Sequence, residues 1–287
     1  MRIQHNITAL NSHRNLTNNN SSLTKNLEKL SSGYRINRAG DDAAGLAISE
    51  KMRAQITGLQ TAQKNAEDGV SLVQTAEGAL TEVHSMLNRM VELATQSANG
   101  TYSSANRSEM QKEIVALRNE IDRISNTANF NGTTLFSNLG GDTKEVAIHA
   151  GETSKTDNQI KITLKSMSAS SMSAKIGNKT ETIDLTTDVD ISKASLAKDS
   201  IDKINTAIDI ISSLRSDFGA LQNRLEHTIN NLSVTSENMT AAESRIRDVD
   251  MAKEMGEYTK NNILIQSAQA MLSQANQVPN AVLQLLQ

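Results

Sequence analysis

Apolar residues recur along this chain at helical spacing over long distances, and the recurrence alone predicts most of its elements. Ile3, Ile7 and Leu10, then Leu16, Leu23, Leu27 and Leu30, fall at heptad-like intervals and predict a helical N-terminal arm. A second helix is expected from about Ala43 to Ser97. Its seam runs through Met52, Ile56, Leu59, Ala66, Val70, Val73 and Leu80, with polar Gln63 and Glu77 at two seam positions. The phase then shifts to Val83, Leu87, Met90 and Ala94, which re-aims the seam. Met110, Ile114, Leu117, Ile121, Ile124 and Ala128 follow at alternating steps of four and three. A return helix, about Ala197 to Asp250, carries a seam from Ile204 to Val249 through Ile211, Leu214, Phe218, Leu225 and Leu232. A C-terminal arm, Lys253 to Gln287, carries Ile263, Leu264, Ile265, Ala268, Met271, Leu272, Val278, Val282, Leu285 and Leu286. Stripes of compatible period predict an antiparallel bundle.

Local chemistry punctuates the pattern. Ser31, Ser32 and Gly33 break the first helix. Asn37, Gly40, Asp41 and Asp42 supply a turn and an N-cap, and capping is a better reading of the two aspartates than a metal loop, because no further ligand lies within a turn. Asn99-Gly100 ends the long helix, Ser103 or Ser104 caps the next, and Asn131-Gly132 marks a turn. The period then changes to two. Val146 and Ile148, then Ile160, Ile162 and Leu164, alternate with polar residues, which predicts a hairpin closed by Gly151–Asn158. Ser166 to Thr187 is rich in Ser, Thr, Lys and Met, with a weak strand signal near Thr180–Leu185, and reads as exposed surface. Asn178-Lys179-Thr180 fits the glycosylation triplet, a chance match in such a tract.

The expected fold class is therefore mainly α. A long antiparallel helical rod or coiled-coil bundle is built from both chain ends, with a small central β-hairpin region. Residues 1–42 and 251–287 form terminal helical arms. Residues 43–165 and 196–250 form the rod domain, with its hairpin at about 144–165, and 166–195 form a short variable surface segment.

Composition narrows the function. Of 287 residues, only 2% are aromatic, so a core must come from aliphatic side chains and Met, which suits helix-on-helix packing. A single proline leaves long helices intact. A net charge of −3 without a Lys/Arg run argues against nucleic acid, and no run is apolar enough for membrane insertion. Met1–Leu10 has no apolar signal region, which taken alone predicts a cytoplasmic protein. The five histidines are scattered, there is no cysteine, and no HExxH, nucleophile elbow, phosphate loop or dinucleotide fingerprint occurs. The expectation is a protein without catalytic residues, cofactor or metal.

Five stretches, in order, resemble the signatures of bacterial flagellin, the filament subunit. They are MRIQHNITALN at the start, LSSGYRINRAGDDAAG at Leu30–Gly45, DGVSLVQTAEGAL at Asp68–Leu80, LRSDFGALQNRLEHTINNL at Leu214–Leu232, and QANQVPNAVLQLLQ at the end. The resemblance implies a secreted, extracellular subunit that polymerises with itself into the flagellar filament for motility. It implies export through the flagellum's own channel without a cleaved leader, against the cytoplasmic reading. It also implies arms lining that channel through Ile3, Ile7, Leu10, Leu23, Leu27, Leu30, Ile263, Leu264, Met271, Leu272, Val278, Val282, Leu285 and Leu286. Implied partners are an export chaperone, the filament cap and hook-junction proteins. Arg89, Leu93 and Glu113 match positions through which flagellins engage the flagellin-sensing Toll-like receptor ectodomain of animal hosts. Asn88, Ala116 and Leu117 depart from activating flagellins there. A junction protein or an adhesin displaying the hairpin is the alternative, but junction proteins share only parts of the terminal signatures.

Overall fold

The structure is a computed structural model that describes residues 6–137, 143–169, 171–176, 179–183, 185 and 189–285, with the backbone alone for 171–176, 179–183 and 278–285. The chain forms two compact units, Met1–Ile56 with Glu237–Gln287, and Thr57–Ser236. They divide inside continuous helices, where packing partners change, and not at the loops near 42 and 250.

In the first unit, α1 (Ile7–Ser32) is N-capped by Asn6, whose side chain accepts from the Ala9 N–H. Gly33 ends it with φ of 75°, a left-handed conformation that glycine adopts without strain. α2 (Ala43–Ala98) starts at Asp42, whose Oδ1 accepts from the Gly45 N–H at 2.9 Å. Asp41 has a different task. Its carboxylate accepts from the Asn37 and Arg38 N–H groups and ties the linker turn. Those N–H groups, Arg38 foremost, hold the Asp41 carboxyl below its ordinary value. The linker is clamped to the end of α4 (Ala194–Arg247) by an isolated bridge between Tyr34 and Asp248, with Val249 N–H donating to Gly33 O at 3.0 Å. Arg247 lies 4.8 Å from the centre of the Tyr34 ring and pairs with Glu50.

α5 (Met251–Leu285) is capped by Asp250, which accepts from Ala252 and Lys253 N–H. The single proline, Pro279, is carried inside the helix. Having no N–H, Pro279 frees the carbonyl four residues earlier. That carbonyl, Ala275 O, accepts instead from Asn6 Nδ2 at 2.8 Å.

The second unit holds the core. α3 (Ser104–Thr127) and α4 each run antiparallel to α2, and so parallel to each other, as the contacts Arg89–Glu113 and Arg107–Ser97, the pair Glu77–Arg215 and the approach of Gly69 to Leu225 require. The shifted seam of α2 is buried throughout, at Val83, Leu87, Met90 and Ala94, in one core with Ile114 and Ile121 of α3 and Ile204, Ile211, Leu214, Phe218 and Leu225 of α4. β1 (Asn129–Phe130) and β2 (Thr133–Thr134) enclose a turn in which Asn131 and Gly132 both have positive φ, as a two-residue hairpin needs. β3 (Thr143–His149) and β4 (Gln159–Lys165) form the expected hairpin, with Val146 opposite Ile162 and Ile148 opposite Ile160. A Cβ at Gly69 of α2 would lie 3.2 Å from Ile148, so the close seat of this hairpin uses glycine's missing side chain.

The segment expected to be exposed surface has buried residues at both of its ends. Met167, Ala169, Leu185, Val189 and Ile191 are buried in the core. β5 (Met167–Ser168), β6 (Ser171–Ile176) and β7 (Lys179–Ile183) form a three-stranded antiparallel sheet there. Helix side chains hold the segment by its backbone. Asp122 accepts from Ala169 N–H at 2.7 Å, Gln111 accepts from Ile191 N–H at 2.9 Å, and the Ser97 hydroxyl donates to Ile191 O at 2.6 Å. The buried anchors are irregularly spaced among Ser and Thr, so no period betrays them. Asn178 of the glycosylation triplet lies outside the described residues.

Two outcomes are expected. Ile121→Asp or Leu225→Asp places an unpaired charge in the fully buried core and costs several kcal/mol; a thermal midpoint equal to wild type in either variant would contradict this packing. The depressed Asp41 carboxyl means that its contribution is full above the ordinary carboxylate pKa of 3.8 and is lost as pH falls through the lower folded value. The Asn37 and Arg38 amide shifts should therefore titrate with a midpoint below 3.8, and a midpoint at or above it would dissociate Asp41 from the linker.

Candidate interaction surfaces

Two helices in contact bury one stripe each. α1 presents Ala9, Ser12, Leu16, Asn19, Leu23, Asn26 and Leu30 to α5, all half-buried except buried Asn26. α5 answers with Glu254, Tyr258, Asn261, Ile265, Ala268, Leu272 and Ala275, all half-buried. This seam takes up only part of the apolar surface. Leu10 is 61% exposed, Ile263 57% and Met271 65%, and Ile7, Leu27 and Leu264 are exposed as well.

The predicted arm residues thus divide. Leu23, Leu30 and Leu272 face the partner helix of the same chain, whereas Ile7, Leu10, Leu27, Ile263, Leu264 and Met271 face outward. Val278, Val282 and Leu285 lie in helical backbone, and Ile3 and Leu286 lie outside the described residues. Met251, Met255 and Ile48 are outward-facing apolar residues that sequence reasoning missed. The first two were legible as an i, i+4 pair at the start of α5.

A second surface lies where α2 meets α3. Arg89 Nε donates to Glu113 Oε1 and Nη1 to Glu92 Oε2, each at 2.9 Å. These two carboxylates, Glu113 first, raise the Arg89 pKa above its ordinary value. The guanidinium and both carboxylates are solvent-facing, a mixed-charge patch held in one geometry by two helices. Leu93 is not part of it. At 2% exposure it belongs to the core, because the shifted seam of α2 turns it inward beside Ala94.

Among the described residues no three His, Cys, Asp or Glu side chains converge as a metal site. Among them also, no helix is long and apolar enough to cross a membrane.

The family model of the bacterial flagellin N-terminal helical region matches residues 3–140, and that of the C-terminal helical region matches 201–286. The flagellin of Bacillus subtilis is 52% identical over 305 aligned residues that cover the whole of both chains. The chain belongs to the bacterial flagellins. A flagellin of Halalkalibacterium halodurans is 50% identical over 287 residues, again covering both chains. The crystal structure of Bacillus cereus flagellin is 33% identical, covers 63% of this chain and 94% of its own, and superposes with a TM-score of 0.47. As a flagellin, the protein is a structural subunit of the extracellular bacterial flagellar filament, a polymer of like chains, and is not an enzyme.

If the Arg89 patch is only solvated surface with respect to folding, Arg89→Ala leaves the thermal midpoint of the soluble subunit unchanged. A lowered midpoint would place Arg89 among the residues that hold α2 to α3.

Proposed function

We propose that this flagellin polymerises by burying the outward apolar faces of α1 and α5 against neighbouring copies. The observation that carries the reading is the surplus just described: Leu10, Ile263 and Met271 stay open to solvent in helices whose other faces are already paired. Ordering each residue costs roughly 1–2 kcal/mol of backbone entropy. A single seam with Ser and Asn in it leaves part of that cost uncompensated. Contact with several copies adds about 25 cal/mol for each Å² of apolar area removed from water. An interface between unlike patches that does not close on itself propagates as a helix. Ile3, Val278, Val282, Leu285 and Leu286 extend the same surface by sequence, and 1–42 and 251–287 are the segments that order on assembly.

Labile ends also suit passage through a narrow export channel, and an unpaired α5 suits a cytoplasmic chaperone that covers its apolar faces until export. The filament cap and hook-junction proteins are the partners at the two ends of the polymer. The test is truncation. Removing 1–32 or 251–287 should abolish polymerisation in light scattering while the rest of the chain retains its cooperative melt. Filaments from either truncated chain would refute the reading.

A second reading rests on the charged patch. Arg89, Glu113 and Glu92 form a preorganised array that a receptor ectodomain can match with opposite charges. The positions correspond to those of flagellins that engage the flagellin-sensing Toll-like receptor, with Leu93 as buried support. Arg89→Ala should weaken binding to that ectodomain about fivefold or more if Arg89 is a central contact. Equal affinity of wild type and variant would remove Arg89 from the contact set.

A further inference from the structure

The most buried side chain that α1 presents is an asparagine, not a leucine. Asn26 is 9% exposed, while Leu16, Leu23 and Leu30 are only half-buried. Oriented by its partners, its carboxamide donates to Ser22 O at 3.0 Å and to Glu254 Oε1 at 3.1 Å. It accepts from Asn261 Nδ2 at 3.1 Å and from the Tyr258 N–H at 3.3 Å. Glu254 is further approached by Lys29 at 4.0 Å. Some twenty residues away, about 30 Å along the helix, Asn6 makes the second polar tie, to the carbonyl that Pro279 leaves free. Both ties engage one face of α5.

That face is not chosen by apolarity. The observed seam of α5 contains Ile265, Ala268, Leu272 and Ala275. A second stripe, Leu264, Ala268, Met271 and Ala275, has the same four–three spacing and is as apolar, yet Leu264 and Met271 face solvent. Burial alone therefore leaves two rotations of α5 on α1 close in free energy. A buried asparagine resolves such degeneracy in helical pairs, because rotating the partner breaks the bonds its amide makes, here those to Glu254 and to the Tyr258 N–H, and it does so at a cost in stability relative to leucine.

We propose that Asn26 is a positioning residue for assembly: with Asn261 and Glu254 it selects the face of α5 that pairs within the chain, and so keeps Leu264 and Met271 outward for the next copy. The proposal rests on the reading that those outward residues are polymerisation contacts.

The test replaces Asn26→Leu, and separately Asn261→Leu, in the full chain. Two quantities are read: elongation of wild-type filament seeds by light scattering, and tryptic cleavage at Lys25, Lys29, Lys253 and Lys260 in the soluble subunit. Leucine strengthens the apolar seam, so cleavage in the arms slows. It also removes the selection, and with the two rotations then about equally populated, elongation falls about twofold. Slower cleavage with slower elongation, in either variant, sustains the proposal. Elongation at the wild-type rate in both variants overturns it, and so does faster cleavage in both, which would make the network a simple source of stability. Failure of the underlying reading is separately visible, since chains lacking an arm would then still elongate.

Discussion

A helix pair has two inner stripes to bury, and α1 and α5 carry more apolar surface than two stripes can hold. The excess follows from sequence. α5 has Ile263, Leu264 and Ile265 in succession, and three consecutive helical positions cannot share one face. The second unit meets the same constraint differently. There three helices and a hairpin enclose one core, and Leu80, Leu87, Met90, Ile121 and Phe218 lose contact with solvent. One set of aliphatic residues thus yields a self-sufficient unit and a unit whose outer surface awaits a neighbour.

Polar groups do the aiming. Asp42 starts α2, Asp250 starts α5 and Gly33 stops α1. Asn6 serves two ends at once, since its oxygen caps α1 while its nitrogen takes the carbonyl that Pro279 frees in α5. In the second unit, Ser97, Gln111 and Asp122 grip the backbone of a Ser/Thr-rich segment and press Met167 and Ile191 into the core. Each device satisfies a backbone group that burial would otherwise leave without a partner.

The seams were legible because a helical stripe repeated over six or more turns is a strong signal. The hairpin was legible because Ile160, Ile162 and Leu164 alternate cleanly. Residues 167–191 were not, because their anchors come from contacts distant in sequence, and composition there points to solvent. The burial of Leu93 was not legible for a related reason. Motif matching transfers a position, whereas the phase of α2 after its shift decides which way that side chain points. Asn26 left no apolar trace at all. Its only sign was a polar residue at a seam position, a feature that Asn19 shares without the same burial.

The central claim is that the arms finish folding only when other copies cover them. Hydrogen exchange of the amides from Ile263 to Leu285 addresses it most directly, in a verified soluble monomer and in filaments of the same chain. Exchange should be fast in the monomer and strongly retarded in the filament, with amides near Leu80, Ile121 and Phe218 protected in both. Slow exchange throughout Ile263–Leu285 in the monomer would contradict the account.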